Sequence, residues 1–434
     1  MRKWIKFTPK DESIWMSQMI EVTQSMKHAI LLTSNELTQE RFYKKLSNFN
    51  FLAGFDALEV IEHSFSALEK ECKEDWYFGF LGYNLNSESQ FPHNKEKKST
   101  IQFPSLHFFR PRWVVMRQEA DWQIGYSSSQ DTNESALEFI QKIEDAEPKL
   151  KTNKTQVEAT PSLDKESYIK AFHQIQKEMH RGNIYELNFC IEFSAESVKL
   201  EPTSTFIKLM ELSPMPFSAF VKHNEKYAFC ASPERYLMKE GKKLYSMPMK
   251  GTAPKGNNAQ EAENERKKLG QSEKERSENI MITDLVRNDL AQTSVPGSVK
   301  VEELCGIYDF PHLFQMVSTI SSKVRADKTW IDAIKDSFPM GSMTGAPKLN
   351  AMQLIDKYET TSRGLFSGAI GYITPEKDFD FNVVIRSLFY DQENKRISFW
   401  AGSAITDQAN AEDEYAECLL KTEIITKRLL NSEG

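Results

Sequence analysis

Cysteine is scarce in this chain: five among 434 residues, at positions 72, 190, 230, 305 and 418. They are odd in number, and none is at the spacing of a zinc site or a redox dithiol, which excludes a disulfide-framed secreted fold and suits a reducing cytoplasm. No apolar run reaches the roughly eighteen residues that a membrane-spanning helix needs. Residues 1–15 interleave Lys, Asp and Glu where a signal peptide would be apolar, so a soluble, unexported protein is expected. An excess of basic residues is also missing: 55 Lys and Arg stand against 62 Asp and Glu, a formal net charge of -7. Nothing in that balance attracts phosphate backbones or anionic membranes, which leaves small molecules and proteins as partners. What is present is ample apolar material, 40% of the chain, enough to bury a large core.

Apolar runs at 29–32, 77–81 and 113–116 read as strands, with a helical stretch over 57–73. A polar tract rich in Lys, Thr and Pro over 147–164 reads as a linker, dividing an amino-terminal region, 1–150, from a second region, 160–430. In the second region the periodicity predicts helices over 165–181, 203–212, 272–290 and 410–430. Strands are expected over 217–223, 227–230, 366–373, 379–390 and 396–401. Long strands joined by turns, without regular crossover helices, predict an α+β architecture of large, mainly antiparallel mixed sheets.

Lys250, in Ser246-Met-Pro-Met-Lys-Gly-Thr252, follows Glu234 of Ala231-Ser-Pro-Glu-Arg235, and both runs carry the Pro or Gly of turns that feed a cleft. A lysine attacks carbon only when neutral; near pH 7 roughly a thousandth of it is, a deficit of about 4 kcal/mol. Partial desolvation and a proton-exchanging carboxylate would offset that deficit. Considered alone, each residue reads more readily as a solvated surface charge than as a catalytic group, by roughly ten to one.

On the predicted helix 272–290, Glu275 and Glu278 share a face with Ile282 and Leu285. The closing helix repeats the device with Glu414, Glu417 and Lys421 alongside Leu420 and Ile424. Acids from two helices facing one cleft suit a hard divalent cation such as Mg2+, and the same spacing also serves a solvated face of ion pairs. The segment 338–348, Phe-Pro-Met-Gly-Ser-Met-Thr-Gly-Ala-Pro-Lys, lacks the glycine and lysine spacing of a nucleotide-binding loop, which excludes an ATPase. Gly402, Lys421 and Arg386, the last inside an apolar run, form a donor set suited to one carboxylate. An arginine so placed needs either an internal acid or an anionic ligand.

Together these runs resemble the chorismate-utilising enzymes, which include those forming anthranilate, isochorismate and salicylate. The resemblance covers about 160–430 and rests on Gly182-Asn-Ile-Tyr-Glu-Leu-Asn188, Ser232-Pro-Glu-Arg235, Pro248-Met-Lys-Gly-Thr252, the stretches 278–289 and 341–348, Arg363-Gly-Leu-Phe-Ser-Gly368, and 414–421. Ile30-Leu-Leu-Thr-Ser34 and Gly79-Phe-Leu-Gly-Tyr83 extend it weakly to the amino-terminal region; Thr33 replaces the acid of tryptophan-binding members, which argues against tryptophan feedback. The fold it implies is that of the anthranilate synthase large component, a sandwich of sheets with helices outside. Glu186 stands where members that add water carry a lysine base, which disfavours isochorismate and salicylate synthesis. Lys250 replaces the alanine usual in the anthranilate-forming branch and matches the branch that makes 4-amino-4-deoxychorismate for para-aminobenzoate and folate.

The resemblance further implies a covalent adduct of Lys250 at C2 of chorismate, with Glu234 as general acid, and Mg2+ held by Glu278 and Glu417. Glu275 and Glu414 would orient bound water, Thr344 and Gly345 would line the substrate site, and Arg386, Gly402 and Lys421 would receive the enolpyruvyl carboxylate. Phe366 and Ala404 depart from the family's tyrosine and glycine and weaken that receptor. No cysteine has the glycine-flanked setting of a glutaminase nucleophile, so ammonia is expected from a separate glutamine amidotransferase subunit. The rival readings are an anthranilate-forming large component and a noncatalytic glutaminase-binding subunit.

Overall fold

The computed structural model describes residues 2–37, 49–88, 97–150, 156–256 and 258–431, and has the α+β architecture expected. Every strand pairing among the described residues is antiparallel. One hydrogen-bonded path runs from Glu186–Ala195 through Arg396–Thr406, Ser387–Asp391, Lys226–Ser232 and Phe217–His223 to His28–Thr33 and Phe51–Glu62. It turns at the long strand Leu106–Gln118, then returns through Tyr77–Leu81, Ala369–Ile373, Phe379–Asn382, Arg235–Glu240 and Lys243–Met247 to Leu313–Lys323. Met249–Pro254 pairs with that last strand. Strands from both sides of the expected linker therefore pair directly; of the linker itself, 151–155 lies outside the described residues.

Alternate residues of single strands feed two cores, as the pleat requires. Ala29 and Leu31 enter one and Ile30 the other; Phe220 and Phe399 enter the first, while Val221 and Trp400 enter the second. Helices cover the first core with Met19, Phe139, Phe172, Phe206 and Cys418. The second is enclosed where the sheet doubles back, with Phe78, Phe80, Phe108 and Phe381 facing Val221, Cys230 and Trp400. That arrangement is the expected sandwich with helices outside.

The helix Glu273–Ala291 starts at Ser272, whose hydroxyl accepts from the Glu275 amide, and Ala411–Glu423 starts at Asn410, which accepts from the Glu412 and Asp413 amides. Acidic first turns, Glu273 and Glu275 in one and Glu412, Asp413 and Glu414 in the other, complement the helix dipoles. Three local expectations are corrected. Residues 57–73 hold the end of the strand Phe51–Glu62 and the short helix Phe65–Glu71 rather than one helical stretch. The run 379–390 is two strands, Phe379–Asn382 and Ser387–Asp391, broken where Arg386 takes φ +50. The closing helix ends at Glu423 and continues as a wider π-type turn, Ile424–Leu430. The helices Glu12–Thr23 and Asn133–Glu144 had no counterpart in the sequence reading.

Candidate active site

The doubling of the sheet brings its two ends together: Lys250 Nζ lies 3.0 Å from Glu186 Oε1, with Glu186 buried and the Lys250 side chain partly so. Glu186 sits on the first strand of the path, and Lys250 on the strand paired to the last. The other Glu186 oxygen is buried without a hydrogen-bond partner among the described residues. Burial pulls the Lys250 ammonium down, but Glu186, Glu278 and Glu417 outweigh it, so its pKa ends above the ordinary lysine value. At rest Lys250 is charged. Asn279 holds its strand in place, the carboxamide donating to the carbonyls of Lys250 (3.3 Å) and Met316 (3.2 Å).

Glu234 is 4% exposed, and burial pushes its carboxyl up to about 7, against the opposing pull of the adjacent Ser342 hydroxyl, Lys250, the Met249 backbone and Arg386. A carboxylic acid poised there gives up and regains a proton at neutral pH. Arg386 faces it from the strand break. The break is fixed by the Val383 amide donating to the Glu234 carbonyl (3.1 Å) and the Ala231 amide donating to the Arg386 carbonyl (3.2 Å). Among the described residues, the Arg386 guanidinium makes no recorded hydrogen bond or ion pair; burial lowers its pKa to about 10, with Glu234 the acid that opposes this. The sequence left an internal acid and an anionic ligand open for Arg386, and the structure supplies the acid, Glu234, as the charged group that acts on it.

The four helix acids lie near one another. Lys274 Nζ lies 3.9 Å from both Glu278 and Glu414, joining the two helices. Glu275, Glu278 and Glu414 are all raised, chiefly by burial and also by neighbouring carboxylates, whereas Glu417 is lowered because Lys421, 2.7 Å away, overcomes its burial. Gly251, at φ +92, keeps the Lys250 strand close: a Cβ there would lie 2.9 Å from Glu275 Oε2. Partly buried carboxylates gathered from two helices are the chemistry that suits a hard divalent cation. They are not drawn to ligating distance of one another, and Lys274 stands between them. Leu420, expected on the inner face of the closing helix, is 64% exposed, and Cys418 is buried in its place.

Lys421 donates to the Gly402 carbonyl at 2.8 Å, so these two proposed carboxylate receptors are bonded to each other. The Thr344 hydroxyl is turned onto the carbonyls of Met340 (3.2 Å) and Gly341 (3.1 Å) and is fully buried. Gly345, at φ +152, lies against Glu186; a Cβ would approach the Glu186 carbonyl to 2.2 Å. Lys348 is committed to Asp289 at 2.7 Å. Phe366 stacks on Trp400, centroids 5.2 Å apart, using as packing the position that lacks a hydroxyl.

Sequence reasoning missed the brace behind this cleft. Arg363, buried, pairs with Glu359 at 2.6 Å and donates to the carbonyls of Met343 (2.6 Å) and Asn188 (2.8 Å), while Glu359 accepts from the Cys190 amide at 2.9 Å. It thereby fastens the loop before Thr344 to the Glu186 strand. The available signal was the Arg363 landmark, where an arginine precedes the glycines of an otherwise apolar run. Two cavities elsewhere carry none of these groups: an open groove of about 660 Å³ beside Glu21 and Lys142, and a pocket of about 70 Å³ lined by Thr33, Arg235 and Asp380.

The chorismate binding enzyme family matches this chain over residues 8–427, spanning both the amino-terminal strands and the acid-bearing helices. This chain is a chorismate binding enzyme by family. It is 30% identical to the chloroplastic aminodeoxychorismate synthase of Arabidopsis thaliana over 95% of this chain and 47% of that one. With aminodeoxychorismate synthase component 1 of Escherichia coli it shares 35% identity over 62% of this chain and 58% of the relative. With the Bacillus subtilis component 1 it shares 26% over 99% and 97%. The matched stretch thus spans about half of the first two relatives. Among solved structures, anthranilate synthase component I of Streptococcus pneumoniae superposes with a TM-score of 0.78 at 21% identity, over 88% of this chain and 93% of that one. The menaquinone-specific isochorismate synthase of Escherichia coli gives 0.77 at 16%, over 100% and 94%. These two likenesses establish the fold.

Proposed function

We propose that this chain aminates chorismate at C4, giving 4-amino-4-deoxychorismate for para-aminobenzoate and folate synthesis, with ammonia supplied by a separate glutamine amidotransferase subunit. The observation that carries this reading is the convergence of Lys250, Glu186 and Glu234 in one buried cluster inside a chorismate binding fold. Relatives named aminodeoxychorismate synthase support the same branch. A cytoplasmic setting suits its five buried free cysteines, and no helix among the described residues is long and apolar enough to cross a membrane.

Lys250 first surrenders its proton, and Glu186, in contact with it and with one oxygen unpartnered, is placed to take it. The free amine then forms a bond to C2 as the ring electrons shift and the C4–O bond breaks. Glu234 gives its proton to the departing hydroxyl, which leaves as water; a well-placed general acid is worth about a hundred- to ten-thousandfold. Ammonia next bonds to C4 while the bond from Nζ to C2 breaks, and the Glu234 carboxylate accepts the proton released. Arg386, beside Glu234, orients the anionic substrate. Glu278 and Glu417, with Glu275 and Glu414 behind them, would hold Mg2+. Bound there, Mg2+ would polarise the ring carboxylate and cancel the Glu278 and Glu417 charges that keep Lys250 protonated.

Mass analysis of the products from chorismate, ammonium and Mg2+, with and without an aminodeoxychorismate lyase, tests this reading. Aminodeoxychorismate alone, converted to para-aminobenzoate when lyase is added, is expected; release of anthranilate with pyruvate would overturn it. Lys250→Ala is expected to abolish or severely slow amination, and a near-normal rate would remove the covalent step.

A further inference from the structure

Three histidines that the chorismate chemistry does not use lie together. His28 and His223 are cross-strand partners, and His107 joins them from the long strand Leu106–Gln118. Ring centroids are 4.8 Å apart for His28 and His107, 4.5 Å for His107 and His223, and 5.3 Å for His28 and His223. One ring nitrogen from each lies within 4.8 Å of the other two, a grouping of potential ligands that no other set of described residues repeats. His28 Nδ1, His107 Nε2 and His223 Nδ1 are each buried with no hydrogen-bond partner among the described residues. Buried polar nitrogens left unpaired are rare, and three on touching rings call for a ligand that all can share.

We propose that His28, His107 and His223 form a binding site for one divalent transition cation of the zinc type, which fastens the amino-terminal strands to the strand Phe217–His223. Imidazole nitrogen is a preferred ligand for such ions, and three histidines with one water complete a tetrahedral set. Ligand nitrogens around such an ion lie about 3.3 Å apart, so small rotations of the rings close the site. Glu62 supports His107 from behind: its Oε1 lies 2.8 Å from Nδ1, so that Nδ1–H donates to the carboxylate and Nε2 keeps its lone pair, the usual outer shell of a metal-bound histidine. His223 Nε2 lies 3.3 Å from Asn224 Nδ2; a half-turn of that carboxamide brings its oxygen to the ring instead, and Nε2–H then donates while Nδ1 is free to ligate. Phe80 and Phe109 enclose the group, while His28, partly exposed, leaves a way in.

The test uses the full chain in excess Mg2+, which occupies carboxylate sites, and requires no chorismate turnover. Co2+ titration is expected to give the visible absorption of a tetrahedral site, saturating at one equivalent and displaced by Zn2+. His28→Gln is expected to weaken Co2+ binding at least tenfold, and the surface change Glu62→Gln by about tenfold through loss of the outer shell. Absence of the tetrahedral spectrum in the unaltered protein, or a spectrum and affinity unmoved by both substitutions, would overturn the proposal.

Discussion

Glu234 is the residue whose environment most directly sets a measurable property. With its carboxyl near 7, the protonated form that the proposed general-acid role requires is present below that pH and lost above it. The rate profile is therefore expected to fall as pH rises through about 7, and Glu234→Gln to remove that limb while slowing turnover about a hundred- to ten-thousandfold. Stability follows the same sign. The folded pKa exceeds the ordinary 4.5, so burial of Glu234 costs nothing at low pH and up to about 3 kcal/mol once pH passes 7. Denaturant midpoints should accordingly show Glu234→Gln gaining stability at pH 8 relative to pH 4. Both Glu234 and Lys250 were legible in the sequence, because each lies in a short run bounded by turn residues. The pairing of Lys250 with Glu186 was not: Glu186 showed only which branch was disfavoured, and nothing local reveals a partner contributed by the far end of a folded sheet.

At the scale of elements, the buried Arg363–Glu359 pair carries the site's geometry, because it ties the Glu186 strand to the loop before Thr344. Removing one partner of such a pair leaves an uncompensated buried charge and typically costs about 3–5 kcal/mol. Glu359→Ala is expected to lower the unfolding free energy by that order in urea titrations; a change within about 0.5 kcal/mol would show the pair to be dispensable. Periodicity located nine of the twenty strands among the described residues and the two acid-bearing helices, each with a sustained apolar face, and missed the strands Glu186–Ala195 and Met249–Pro254. It missed the interruption at Arg386, because an apolar run looks continuous whether or not one residue adopts φ +50, and it is this interruption that turns Arg386 toward Glu234. Over 57–73, strand and short helix were merged because both are apolar and the join at 63–64 lacks glycine and proline.

The whole molecule depends on strands from 1–150 at its centre. His28–Thr33 pairs with Phe217–His223, and Tyr77–Leu81 pairs with Ala369–Ile373, so the path between the two halves of the site runs through the amino-terminal region. A fragment beginning near 160 would expose the edges of both partner strands and lose about a third of the residues of each core. It is expected to aggregate or remain unfolded, as judged by solubility and near-ultraviolet circular dichroism, whereas an independently folding fragment would show the pairing to be accessory. Composition and motif order made the fold class legible, but register and the doubling of the sheet arise from contacts too distant in sequence for any local pattern to encode.

The carboxylates gathered around Lys250 have one more consequence. An amine held as ammonium is inert toward electrophiles, so the idle protein carries its proposed nucleophile with the safety on. Acylating reagents applied at neutral pH should label the surface lysines and spare Lys250, and peptide mapping should find it modified only after Glu186→Gln has loosened the catch.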